Sequence, residues 1–236
     1  MSSLTATTAP IGLRRIARIA GITYLVVFVA GMIAEFVARA PNIVDTDAAA
    51  TAANIAANAG GFRVGIAADL IMVIADVGLA LLFYELLKPV NRPLALLAAF
   101  FRLAQAASIG LNLLNLFVVL ELTGGAAYLE VLGPAQLDAL TLLFARAHGI
   151  GYTLALLFFG ASILIVGYLT IKADYLPSVL GVAIIVAAVG YLVDIFAQTL
   201  LSNYDAYAEF FGNIVLVPAF IAELAMALYL IVRGTR

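Results

Sequence analysis

Six long runs of apolar residues, separated by polar breaks, set the pattern of this chain; they lie at 16–37, 64–87, 94–120, 147–169, 177–200 and 211–232. A helix rises ~1.5 Å per residue, so ~20 residues cross a hydrocarbon core ~30 Å thick. Each run meets that length, and the pattern predicts an all-α integral membrane bundle of six transmembrane helices. Two longer breaks carry patterns of their own. Residues 47–58 are Ala-rich, opened by Asp47 and closed by Gly60 and Gly61, which are helix start and stop signals. In 134–146, Leu137, Leu140, Leu143 and Phe144 fall on one side of a helix. Short amphipathic helices are therefore expected in both long external loops. With no linker and no internal repeat, 1–236 reads as a single membrane domain behind a cytoplasmic tail at 1–15.

Composition agrees with this pattern and narrows the chemistry. Hydrophobic residues fill 65% of 236 positions and charged ones 11%, against ~45–50% and ~25% in soluble domains. The net charge of −2 and the lack of a basic patch exclude a nucleic-acid partner. There is no cysteine, which excludes disulfides and thiolate metal sites. One histidine, His148, is too few for the usual metal or haem sites, so no cofactor and no metal are expected. The absence of Trp leaves Tyr and Phe to form any interfacial belt.

Charge also orients the bundle. Arg14, Arg15, Arg18, Lys88, Arg92, Lys172, Arg233 and Arg236 fall on one side, and Arg39, Arg63 and Arg146 on the other. The positive-inside bias then puts both termini in the cytoplasm of a cell (inner) membrane. The start of the chain resembles a signal peptide, with Arg14, Arg15 and Arg18, an apolar run, then Ala38-Arg39-Ala40. The run exceeds the ~7–15 residues of a cleavable core, so an uncleaved helix is the reading.

Three charges interrupt the apolar runs near their middles: Asp76, Arg102 and Glu223. Each costs roughly 2.5–3.5 kcal/mol on insertion scales, so such residues face a partner, a cavity or a pathway. Arg102 falls ~15 Å above the cytoplasmic end of its span, and Asp76 and Glu223 ~20 Å below the outer ends of theirs. All three are therefore near the midplane. Asp69 shares a helix face with Asp76, and Arg102, Gln105, Ser108, Asn112 and Asn115 form one polar stripe. Asp194 with Gln198 and Tyr191, His148 with Tyr152, and Tyr24 with Glu35 are further same-face sets. Polar residues of this kind are often interhelical glue, worth ~0.6 kcal/mol each. The charged ones cost more and point further toward function. Asp69, Asp76, Asp194 and Glu223 outnumber Arg102 and His148, so a bound proton or cation is expected to relieve the surplus.

Ala17-Arg18-Ile19-Ala20-Gly21, Ala34-Glu35-Phe36, the Asp69 to Asp76 stretch and Lys88-Pro89-Val90-Asn91 form an ordered set of motifs. Phe101-Arg102-Leu103, Asn112-Leu113-Leu114-Asn115-Leu116 and Ala147-His148-Gly149-Ile150-Gly151-Tyr152 continue it. Tyr191-Leu192-Val193-Asp194 and Pro218-Ala219-Phe220-Ile221-Ala222-Glu223-Leu224 complete it. In these motifs and their order the chain resembles a bacterial and archaeal multi-pass membrane family known as domain of unknown function 4386. The resemblance covers almost everything after the first dozen residues. It implies a multi-pass membrane protein and supplies no activity.

No Gly-x-Ser-x-Gly elbow, phosphate-binding loop or His-Glu-x-x-His motif occurs. The leading expectation is binding or transport of a small solute at Asp76, Arg102 and Glu223, with Asp69, Asn112, His148 and Asp194 along an outer approach. Proton coupling is open to such a site, and a lipid headgroup is an alternative ligand for Arg102. Two other readings stand beside it. One is an intramembrane enzyme using carboxylate acid–base chemistry on a lipid or hydrophobic substrate. The other is a structural or partner-binding membrane subunit.

Overall fold

The computed structural model describes residues 11–235, which form helices, turns and connecting loops with no strand among them. The first ten residues of the expected cytoplasmic tail, and Arg236 of the basic set, lie outside the described residues. In chain order the α-helices are α1 (Ile11–Met32), α2 (Ala48–Ala57), α3 (Ala59–Leu87), α4 (Arg92–Asn112), α5 (Leu114–Leu122), α6 (Pro134–Lys172), α7 (Ser178–Leu200) and α8 (Ala208–Val232). A π-helical segment, Ile33–Arg39, continues α1, and α4 runs into α5 with a break at Leu113. Six helical stretches are long and apolar enough to span a membrane. The all-α six-span architecture is thus as the pattern predicts.

Helix ends follow local chemistry. Asp47 takes an extended conformation and its carboxylate accepts from the Ala50 amide at 2.9 Å, which starts α2 as expected. Asn91 does the same for α4 through the Leu94 amide at 3.1 Å, with Pro93 in the first turn where its missing N–H costs nothing. The expected amphipathic helix at 134–146 is present but is not a separate element. It is the opening of α6, a single helix of 39 residues. The first span also ends later than the apolar run suggests, at Arg39.

The described chain forms two compact units. One comprises the stretch ending at Leu25, Asp76–Leu103, and the stretch from Leu156 onward. Within it α6 and α7 meet backbone to backbone: a Cβ on Gly181 would lie 2.5 Å from the Gly167 carbonyl oxygen, and one on Gly167 would lie 2.8 Å from that of Gly181. Such contact needs small residues on both helices. Pro218 lies inside α8 and has no N–H to give the Ile214 carbonyl. Gly190 of α7 packs against that carbonyl, so closely that a Cβ there would sit 2.8 Å from the oxygen. Ser162 ties α6 to α4 by donating to the Ala98 carbonyl at 2.8 Å.

Tyr175, in the turn between α6 and α7, donates its hydroxyl to the Leu86 carbonyl at 2.6 Å. Burial pushes its pKa from the usual 10.0 up to about 12. The folded state thus holds this proton more tightly than the unfolded chain, and the stability it gives is present below about pH 10 and lost as pH rises toward about 12. Tyr175→Phe is expected to cost ~1 kcal/mol at neutral pH and to flatten the alkaline fall in thermal midpoint. A midpoint curve through that range identical in slope to the parent's would refute it.

The other unit comprises Val26–Ala75 and Ala104–Ala155. Its core joins Ile55 of α2, Phe62 and Ile66 of α3, Leu113, Leu116, Val119 and Leu120 around and in α5, and Ala145 of α6. The loop before α2 is pinned by Thr51, whose hydroxyl accepts from the Val44 amide at 2.9 Å and donates to the Asp47 carbonyl at 2.9 Å. Gly65 of α3 lies directly against Ala38, leaving no room for a Cβ. That close approach is what brings α3 beside the π-helical segment.

Candidate functional site

Two buried polar clusters emerge, one in each unit. In the first, Arg102 of α4 donates from Nε to Asp76 Oδ1 of α3 at 2.8 Å, and its Nη2 lies 2.6 Å from the same oxygen. Both side chains are 1% exposed. Tyr24, Phe83 and Phe159 surround the guanidinium, their ring centroids 5.4, 5.9 and 5.1 Å from its carbon. In a dry setting each face adds favourable cation–π attraction, up to about 2 kcal/mol. Tyr24 and Phe83 meet edge to face, as do Phe159 and Tyr191. Arg102 Nη1 is buried without a hydrogen-bond partner.

Glu223 of α8, buried in the same unit, accepts from the Tyr191 hydroxyl at 3.1 Å. It lies within electrostatic range of Arg102, Asp76 and Tyr24 but forms no ion pair among the described residues. The Tyr24 hydroxyl approaches Glu223 without a hydrogen bond of regular geometry. The cluster therefore holds two acids and one base, with one acid bonded to tyrosine instead of arginine.

In the second unit the π-helical segment presents Arg39, whose Nε donates to Glu35 at 2.9 Å and whose Nη1 pairs with Asp69 of α3. Arg39 also lies over the Tyr152 ring of α6 at 5.5 Å, and Tyr152 in turn is 6.0 Å from the His148 ring. His148 contacts Asn112 through Nδ1, at 3.1 Å from the amide nitrogen, and Asn112 also donates to the His148 carbonyl at 2.8 Å. Asn115 donates to Asn112 Oδ1 at 2.9 Å. Gly151, one turn along α6, leaves the space the Asn112 side chain fills.

Over residues 19–234 the chain matches the family described as Domain of unknown function (DUF4386). The chain belongs to that family. It is also 27% identical over 166 residues to an Archaeoglobus fulgidus protein described as uncharacterized, covering 70% of this chain and 81% of that one. No solved structure matches.

For this DUF4386 member, the structure brings together part of the residue set singled out from sequence. Asp76 and Arg102, which the sequence places at similar depth, form an ion pair, and Glu223 lies in the same unit. Asp69, Asn112 and His148 lie in the other unit. Asp194 is half-buried and accepts from the Tyr204 hydroxyl at 2.6 Å, from the turn before α8. Some same-face sets do not act together. Gln198 is exposed, Tyr191 serves Glu223, and Glu35 pairs with Arg39 while Tyr24 faces Arg102. Arg39 was placed by sequence in an external loop, yet it is 6% exposed and holds Asp69. The aromatic partners Phe83 and Phe159 carry no sequence signal that separates them from ordinary core.

Proposed function

We propose that this protein binds a small acceptor-bearing solute, such as a carboxylate, at the Asp76–Arg102–Glu223 cluster and carries it across the membrane. Arg102 Nη1 supports the reading. A guanidinium N–H buried among aromatic rings is costly unless something accepts from it during the working cycle. Arg102 offsets the charge of Asp76 and leaves Glu223 as the group to take up a proton or cation with the solute. The basic residues, eight on one side against three on the other, support an inner membrane location with both termini in the cytoplasm.

The test is uptake of a panel of small carboxylates into proteoliposomes, with an entrapped dye reading pH. Wild type is expected to move one class with a pH change, and Glu223→Gln to lose the pH dependence while remaining folded. Unchanged transport in both Glu223→Gln and Asp76→Asn would sink the proposal. A structural role is the second reading, and the ring-packed, paired Arg102 favours it. It predicts that no solute binds and that charge removal acts on stability alone.

A further inference from the structure

The strongest unassigned feature is a group of arginines where the two ends of the chain meet. Arg14 of α1 donates from Nε to the Arg233 carbonyl at the end of α8, at 3.3 Å. Gly234, the next residue, takes φ 71° and lies against Arg14, where a Cβ would stand 2.8 Å from Arg14 Cγ. Two turns further along α1, a Cβ on Gly21 would lie 2.7 Å from both the Ala227 carbonyl oxygen and the Ile231 amide nitrogen of α8. These contacts hold the start of α1 beside the end of α8, so Arg14, Arg15, Arg18 and Arg233 share one end of the first unit.

All four are exposed, and none forms an ion pair among the described residues. The sequence supplies no acid nearby in the chain either, since none occurs before Glu35 or after Glu223. Guanidinium groups gathered at one helix seam without counter-charge attract an anion, and the fork of each matches two oxygens of a phosphate. The surface beside them says which anion. Ile19 and Ile22 follow Arg15 by one and two turns along α1 and are exposed. Leu228 and Val232, in the last turns of α8 before Arg233, are exposed as well. Positive charge at the end of a span, with bare apolar surface running inward from it, fits a molecule with an anionic head and hydrocarbon chains. A soluble phosphate would leave the apolar part unused.

We propose that the α1–α8 seam binds an anionic phospholipid, independently of the Arg102 cluster. Arg15, Arg18 and Arg233 draw its phosphate, Arg14 joins the two helix ends beneath it, and its acyl chains lie along the exposed apolar residues of α1 and α8. Full-length protein in a mild neutral detergent is titrated with phosphatidylglycerol, phosphatidylcholine or inorganic phosphate, and native mass spectrometry reads the bound molecules. Phosphatidylglycerol is expected to bind saturably and more tightly than phosphatidylcholine. Arg15→Gln with Arg18→Gln should weaken it roughly 30-fold, and Arg233→Gln, from the other helix, about fivefold. Arg92→Gln with Lys172→Gln removes the same charge from the same unit and should leave the affinity unchanged. Circular dichroism checks that each variant stays helical. Phosphatidylcholine bound as tightly, equal losses in the two double variants, an affinity untouched by the arginine changes in α1 and α8, or full displacement of the lipid by inorganic phosphate overturns the proposal.

Discussion

Replacing Asp76 with leucine is expected to destabilise the protein by about 3–5 kcal/mol, the usual result of stranding one member of a buried pair. Arg102 would keep its charge inside an aromatic enclosure after losing Asp76 Oδ1, the acceptor of its Nε. Removing both charges, as Asp76→Leu with Arg102→Met, should recover most of that loss because no unpaired charge remains. Denaturant unfolding in mild detergent, followed by circular dichroism, measures both. A single variant as stable as the parent would mean that the pair carries no such cost. The double variant also separates readings of the site. A folded protein that no longer binds carboxylate supports solute recognition by Arg102, whereas undiminished binding places recognition elsewhere.

Gly181→Val should be the most disruptive small change between helices. Its new side chain meets the Gly167 carbonyl and the Ile171 amide, 2.5 and 2.9 Å from the Cβ position, and backbone cannot move aside as a flexible side chain can. Overpacking commonly costs about 1–3 kcal/mol, and here the upper end is expected because α6 and α7 must separate. Gly78→Ala makes the control: nothing lies within 4 Å of its Cβ position, and replacing a mid-helix glycine gains roughly 0.5–1 kcal/mol. The same unfolding assay reads both. Equal stability of the two variants would show that the α6–α7 contact is loose.

The six spans were legible because length and apolarity alone decide whether a helix can cross a bilayer. The similar depth of Asp76 and Arg102 was legible for a related reason, since charges inside an apolar run stand out and opposite ones at one depth are able to pair. Arg39 was not, since a basic residue at the end of an apolar run ordinarily reaches for the interface. Only the π-helical continuation of α1 and the space beside Gly65 turn it inward to Asp69. Glu223 shows the same limit. Its depth could be read from the run around it, but its Tyr191 partner sits on another helix, and helix periodicity does not say which helices are neighbours. Asp194 looked like part of a buried stripe because periodicity sees only its own helix, while its partner Tyr204 comes from the following turn.

The proline in α8 also has a mechanical consequence. A helix bends most easily where a rung of its hydrogen-bond ladder is missing, and Pro218 removes the rung at Ile214. Glu223 follows that point by little more than one turn. The acid of the first cluster that is bonded to tyrosine instead of arginine thus rides on the arm next to the softest joint of its helix. A small swing there changes its distance to Tyr191 without breaking any further backbone bond in α8.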